Sequence, residues 1–446
     1  MTHNKNLFSA KSILLVFLIY NFSGYGQNNE STKNITNTDI NRIVNTVVNS
    51  FEDNYVFPEK VKTLKDSILN KLSNGQYSAF TEKEELLYQL SSDFRRILED
   101  KHIRIYHVES SGKDLSHQKN SLLNGEIEKK KSINFNFKKV EWLPGNIGYI
   151  RFDIFEDIKY AHETVSSAMK FISNCEAVII DLRYNPGGKA DMGKFLLSYF
   201  FSEPTLLSTQ HFTRQDSIVQ NWSNSHAPTY SLVDKDIYIL TSANTASGAE
   251  AFTYTLKNYN KAVVVGEKTR GAAHWCEYFY YSSINVEIRM PVAYPINPVT
   301  KTNWEKTGII PDIEVSEYSA FNRAYSEALR QLSLKCDDES KKNEYEWLQK
   351  ISTEKQKNQT VSLSELNEYV GKYEDIEFII KDNLLYWLQP DNSEFALLKL
   401  SDDHFIFTDS EDYIIKFVRN KKNKVIGYQL LKMGNFDPPV NKKEDR

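Results

Sequence analysis

At 446 residues the chain is too long for one ordinary core, so two or three domains are expected. Its 55 basic and 59 acidic residues nearly cancel, leaving a formal charge of -4, and no basic stripe marks a nucleic-acid partner. Three scattered cysteines exclude a disulfide framework and show no metal-ligand spacing, while 26 Tyr and 25 Phe fit filled cores with much β-structure.

Lys5 and Lys11 precede the apolar run Ile13 to Tyr20, which is too short to span a bilayer, and Gly24 and Gly26 supply small residues before Gln27. Residues 1–26 read as a signal peptide, with an uncleaved interfacial anchor as the alternative. The absence of cysteine there argues against a lipid anchor. The expectation is a periplasmic or secreted protein without a stable membrane span after cleavage.

Residues 27–108 read as a helical domain. Val44, Val47, Val48 and Phe51 have the 3,4 spacing of a core-facing stripe, and Leu86, Leu87 and Leu90 repeat it after the start signal Thr81-EKEE. Pro58 marks a helix boundary. His102 falls where helical spacing gives way to the alternation of Ile103 and Ile105, a place where a lone histidine can be purely structural.

Residues 109–335 read as an α/β core. Its first part, Glu109 to Lys131, is polar and charged and reads as a loop or linker. The interval from His102 to Gly148 is too short for an inserted peptide-binding module of about 90 residues. From Asn146 onward strands alternate with helices: Ile147-GYIRFDIF, Ala161-HETVSSAMKFIS, Ala177-VIIDLR, Gly188-KADMGKFLLSYFF, Ile237-YILTS, the helix after Ser247, and Ala262-VVVGE. That order predicts a mostly parallel sheet covered on both faces, with sites at the carboxyl ends of its strands. Residues 336–360 read as a helix and charged linker. Residues 361–446 carry short strands about ten residues apart, which predicts a small antiparallel barrel or sandwich.

Two of those strand ends attract chemistry. Asp236-IYILTSANTASGAEA-Phe252 reads as strand, tight turn and helix, the arrangement that lifts a serine to the top of a sheet beside helix N-terminal amides. Ser247 is that serine, although Ser247-x-x-Glu250 also spells a capping box and Thr245 could cap instead. Asn185-PG-Gly188 closes another strand; its glycines permit close approach by a ligand, or form an ordinary turn. Glu305 sits in a loop before a Pro-Asp turn, where a solvated side chain is the plain reading.

In this order, Asp100-Lys-His102, Gly148-Tyr-Ile-Arg, Asp181-LRYNPG-Gly188, Leu240-TSANTASGA-Glu250, Gly266-EKTRGA and Trp304-EKTGIIPDIE-Val315 resemble the carboxy-terminal processing (tail-specific) serine peptidases, in the branch of the tricorn core and the interphotoreceptor retinoid-binding protein repeats. The resemblance covers about Asn41 to Leu332. It implies a ClpP/crotonase-like α/β core with an N-terminal helical domain and a small C-terminal antiparallel β-domain. It also implies Ser247 as nucleophile, His102 as general base, Glu305 in the network that orients the histidine, and an oxyanion hole from Gly248 with Gly187 or Gly188. The expected activity is that of an endopeptidase acting on peptide or protein substrates through an acyl-enzyme, without metal or other cofactor. The lysine base of the family's dyad branch is missing, since Ala272 follows Thr269-Arg-Gly271. Lys101 stands where the tricorn-like pattern has a serine before its histidine. Because the same fold includes carriers of hydrophobic ligands, a silent homologue binding retinoids or fatty acids is the alternative.

Overall fold

The computed structural model describes residues 34–108, 125–223, 230–355, 361–432 and 437–444. The signal-peptide reading of residues 1–26 lies outside the described residues, as do 356–360 of the charged linker. Among the described residues no helix is long and apolar enough to cross a membrane.

Three helices open the described chain: α1 (Asn37–Asn54), α2 (Pro58–Ser73) and α3 (Lys83–Leu98). Thr36 caps α1 in a reciprocal box with Asp39, and Pro58 takes the first helical position of α2, where its missing N–H costs nothing. The stripe Val44, Val47, Val48 and Phe51 is fully buried with Leu86, Leu87 and Leu90. This helical layer packs on a sheet formed by β1 (Arg104–His107), β5 (Leu206–Phe212), β6 (Ser217–Trp222), β9 (Trp275–Tyr281) and β10 (Val286–Ile296). Residues 125–132, read within a linker from sequence, form helix α4. Its charges form i,i+3 and tertiary pairs, Lys131 with Glu128 and Lys130 with Glu156. The side chains of the aromatic strand β9 stay half exposed because, among the described residues, only β10 pairs with it.

The central sheet has the order β11-β8-β7-β4-β3-β2, drawn from β2 (Phe137–Leu143), β3 (Ile147–Phe152), β4 (Ala177–Asp181), β7 (Asp236–Thr241), β8 (Val263–Gly266) and β11 (Ile313–Glu314). All neighbours run parallel except β2 with β3. Along β4, Val178 and Ile180 face a core with α5 (Ile158–Ile172), α6 (Ala190–Leu197) and α7 (Gly248–Asn258). Ala177 and Ile179 face the opposite core with α8 (Glu317–Lys335) and α9 (Glu339–Lys355). Burial on both faces is why these strands read as unbroken apolar runs. Because the strands are parallel, the turns after β4, β7 and β8 emerge at one end of the sheet.

After the short helix α10 (Leu363–Leu366), the described residues form eight antiparallel strands, β12 (Gly371–Tyr373), β13 (Ile376–Lys381), β14 (Leu384–Leu388), β15 (Glu394–Ser401), β16 (His404–Phe407), β17 (Tyr413–Arg419), β18 (Val425–Lys432) and β19 (Asn441–Lys442). Each pairs with the next, and a bridge from Tyr373 to Lys443 brings the ends together into a barrel-like sheet. Aromatic residues such as Tyr373, Phe378, Trp387 and Phe417 fill its interior.

Candidate active site

The turn between β7 and α7 is tied to the turn after β4. Thr245 Oγ1 donates to Leu182 O at 2.8 Å and accepts from Ser242 N at 3.0 Å, and Ala246 N donates to Asn185 O at 3.1 Å. Thr245 is thereby occupied, and Ser247 is the residue that precedes α7. Ser247 has φ +50° and ψ -116°, a backbone conformation that costs a non-glycine residue of order 1–3 kcal/mol. Glu250 reciprocates as in a capping box, its Oε2 accepting from Ser247 N at 2.8 Å.

Gly187 and Gly188 lie against this elbow. A Cβ on Gly187 would come within 2.7 Å of Gly248 N and 2.9 Å of Ser247 Cβ, so only glycine allows the two turns to approach. Gly188, at φ +137°, would place a Cβ 2.2 Å from Phe155 O. The Gly187 amide donates to Asn185 Oδ1 at 2.8 Å. Among the described residues, no acceptor is hydrogen-bonded to the amides of Gly188 or Gly248, and neither residue is buried.

His102 follows α3 in the turn into β1, as its sequence position predicts. It is 3% exposed, and its Nδ1 lies 3.2 Å from Asp100 Oδ1, which also accepts from His102 N at 3.0 Å. The other oxygen of Asp100 meets His274 Nδ1 at 2.7 Å and accepts from Tyr55 Oη at 3.3 Å. Burial opposes ionisation of Asp100, yet hydrogen bonds from the two histidines hold its carboxyl well below the usual carboxylate range. Burial and the adjacent Asp100 push the Tyr55 phenol far up, keeping it a neutral donor. Glu305 meets the other histidine: its Oε2 accepts from Ala273 N at 2.6 Å and lies 3.9 Å from His274 Nδ1. The carboxylate paired with His102 is therefore Asp100. Lys101 turns away, its Nζ donating to Arg270 O at 2.9 Å.

One loop joins the two halves of the site. Glu250, fully buried, accepts from Thr269 Oγ1 at 2.5 Å, Gly271 N at 2.7 Å and Ala272 N at 2.9 Å, besides Ser247 N. Burial pushes the Glu250 carboxyl up, against four donors that each favour the carboxylate. The same loop continues through Ala273 to Glu305 and through His274 to Asp100. Among the described residues, none is hydrogen-bonded to His102 Nε2, which is buried.

A family model described as "Peptidase family S41" matches residues 146–315, and one for the N-terminal domain of peptidase S41 in eukaryotic IRBP matches residues 33–138. Residues 146–315 are thus similar to peptidase family S41. A carboxyl-terminal-processing protease from Synechocystis is 30% identical over 177 residues, a stretch covering 39% of this chain and 39% of that protein. This chain thus aligns with about two fifths of that relative's length. Among solved structures, the photosystem II D1 C-terminal processing protease aligns at 19% identity and TM-score 0.33, over 39% of this chain and 43% of that one. A lipoprotein from Streptococcus agalactiae aligns at 14% identity and TM-score 0.45, over 67% and 97%.

Ser247, Gly187, Gly188, Gly248 and Glu305 fall within the segment matched by the S41 model, whereas His102 falls within the preceding matched segment. Sequence reasoning did not assign Asp100 or His274 a role, and it treated Glu250 chiefly as a cap. Asp100 stood in a quoted motif two residues before His102, a spacing that lets a carboxylate reach both the amide and the ring. His274 carried no such local signal, because its partner is 174 residues away.

Proposed function

We propose that this chain is an exported serine endopeptidase that cleaves peptide bonds through an acyl-enzyme on Ser247. The observation that carries the reading is the strained backbone of Ser247 at a strand-to-helix elbow, with the amides of Gly188 and Gly248 beside it. In this reading His102 removes the hydroxyl proton through Nε2 as Oγ attacks the carbonyl carbon, then returns it to the leaving amine. Asp100 holds the opposite face of the imidazole through Nδ1 and stabilises the imidazolium. The Gly188 and Gly248 amides receive the oxyanion; the Gly187 amide is engaged by Asn185 and serves the turn instead. Glu305 acts at one remove, through Ala273 and His274. Water then releases the acyl group by the reverse sequence. Export rests on the leader-like residues 1–26.

The test is hydrolysis of unstructured peptides by the full chain and by Ser247→Ala. The variant should lose turnover while keeping its circular-dichroism spectrum and melting temperature. An active Ser247→Ala enzyme would reduce Ser247 to a helix cap.

A further inference from the structure

Asp100, His102, His274 and Glu305 each bring one ligand-capable atom to a common point, all four within 4.8 Å of one another. Their side chains are only 1%, 4%, 7% and 11% exposed. They come from three separate segments: the turn after α3, the loop before β9, and the loop after β10. No lysine or arginine lies within ion-pairing distance of either carboxylate among the described residues, so two acids share a dry site with two imidazoles. Buried charge in that setting is ordinarily paired or coordinates a metal. We infer that this cluster is a site for a divalent transition-metal cation, zinc above all, and that occupancy switches the peptidase off.

The donor chemistry selects the ion. Two imidazoles with two carboxylates suit zinc and its transition-metal neighbours, while calcium and magnesium call for oxygen alone. Zinc bonds of about 2.0–2.2 Å in a tetrahedral shell put neighbouring donors roughly 3.3 Å apart. His102 Nδ1 lies 3.2 Å from Asp100 Oδ1, while His274 Nδ1 lies 2.7 Å from Asp100 Oδ2 and 3.9 Å from Glu305 Oε2; with all four donors within 4.8 Å, small side-chain shifts bring them to that spacing around one ion. Two carboxylates neutralise a divalent ion, and Tyr55 is placed to hold Asp100 from outside the shell.

Both rings turn Nδ1 toward Asp100, so the cation takes the place of the Nδ1 protons. Each neutral imidazole then carries its proton on Nε2, and binding consumes no other reactant. That shift is the switch. His102 with its proton on Nε2 has no lone pair for the Ser247 hydroxyl. The inhibitory consequence rests on the proposed role of His102; the binding does not.

Binding is therefore measured on full-length Ser247→Ala, by zinc titration against a chromophoric chelator and by the visible ligand-field absorption of added cobalt(II). One ion per chain is expected, with a cobalt spectrum of low coordination number and a raised melting temperature. Losing an outer-shell group alone weakens metal sites roughly 10- to 100-fold, so His274→Gln should weaken this one at least that much. Glu305→Gln is a second ligand variant should His274→Gln fail to fold. In the chain with Ser247 intact, peptide hydrolysis should stop at one equivalent of zinc and return with chelator. Absence of stoichiometric binding, or binding unchanged in both ligand variants, would overturn the site. Binding without inhibition would overturn the switch. Failure of the unsubstituted chain to hydrolyse any peptide would strike the proposed function and leave the binding result standing.

Discussion

Glu250 shows how a single side chain can tie a helix cap to a distant loop. It is the cap partner that its spacing from Ser247 suggested, and it also gathers the 269–272 loop. Glu250→Gln replaces one carboxylate oxygen with an NH₂ facing donors, so at least one buried N–H or O–H loses its acceptor. The expected cost is about 2 kcal/mol in chemical denaturation, together with lost peptidase activity; an unchanged stability would contradict the network. The orienting carboxylate can be assigned in the same way. With Asp100 on His102 and Glu305 on His274, Asp100→Asn should lower kcat by up to roughly 10⁴ through the wrong tautomer. Glu305→Gln should cost only about tenfold, shared with KM. The reverse order, read from steady-state kinetics on both variants, would make Glu305 the direct partner.

At the scale of elements, the close approach of two turns matters more than either turn alone. The proline-glycine turn after β4 and the elbow after β7 were each legible, because strand, turn and helix follow one another within about twenty residues of sequence. Their mutual contact was not legible, since it depends on β4 and β7 being parallel neighbours in register. Gly187→Ala tests the contact. At φ +106° and 2.7 Å from both the main-chain oxygen of Ala246 and the amide nitrogen of Gly248, the new methyl has no flexible neighbour to displace. We expect a loss of about 3 kcal/mol in denaturation and a large fall in activity. A variant with ordinary stability and turnover would show that the turn has room to move.

For the whole molecule, the sequence made the three regions visible through their differing periods: helical stripes, alternating strands and helices, then short regular strands. It hid how the regions meet. Leu400, Ile406, Ile414 and Leu431 of the barrel share one apolar cluster with Trp347, Leu348 and Ile351 of α9, and Trp347 Nε1 donates to Glu411 O at 3.0 Å. A chain ending near Gln359 should keep hydrolysis of short peptides but melt roughly 5–10 °C lower, as expected from losing a few kcal/mol of packing. Equal melting temperatures would make the barrel an independent appendage. The site was hidden for the same reason, as His274 and Asp100 meet only through the fold. The central claim, that this assembled site makes Ser247 a nucleophile, is most directly tested with a serine-directed fluorophosphonate. After reaction of the full chain, the adduct should map by peptide mass spectrometry to Ser247, and His102→Ala should abolish it. A chain that cleaves peptides with its adduct on another serine, or with equal labelling in His102→Ala, would contradict the account.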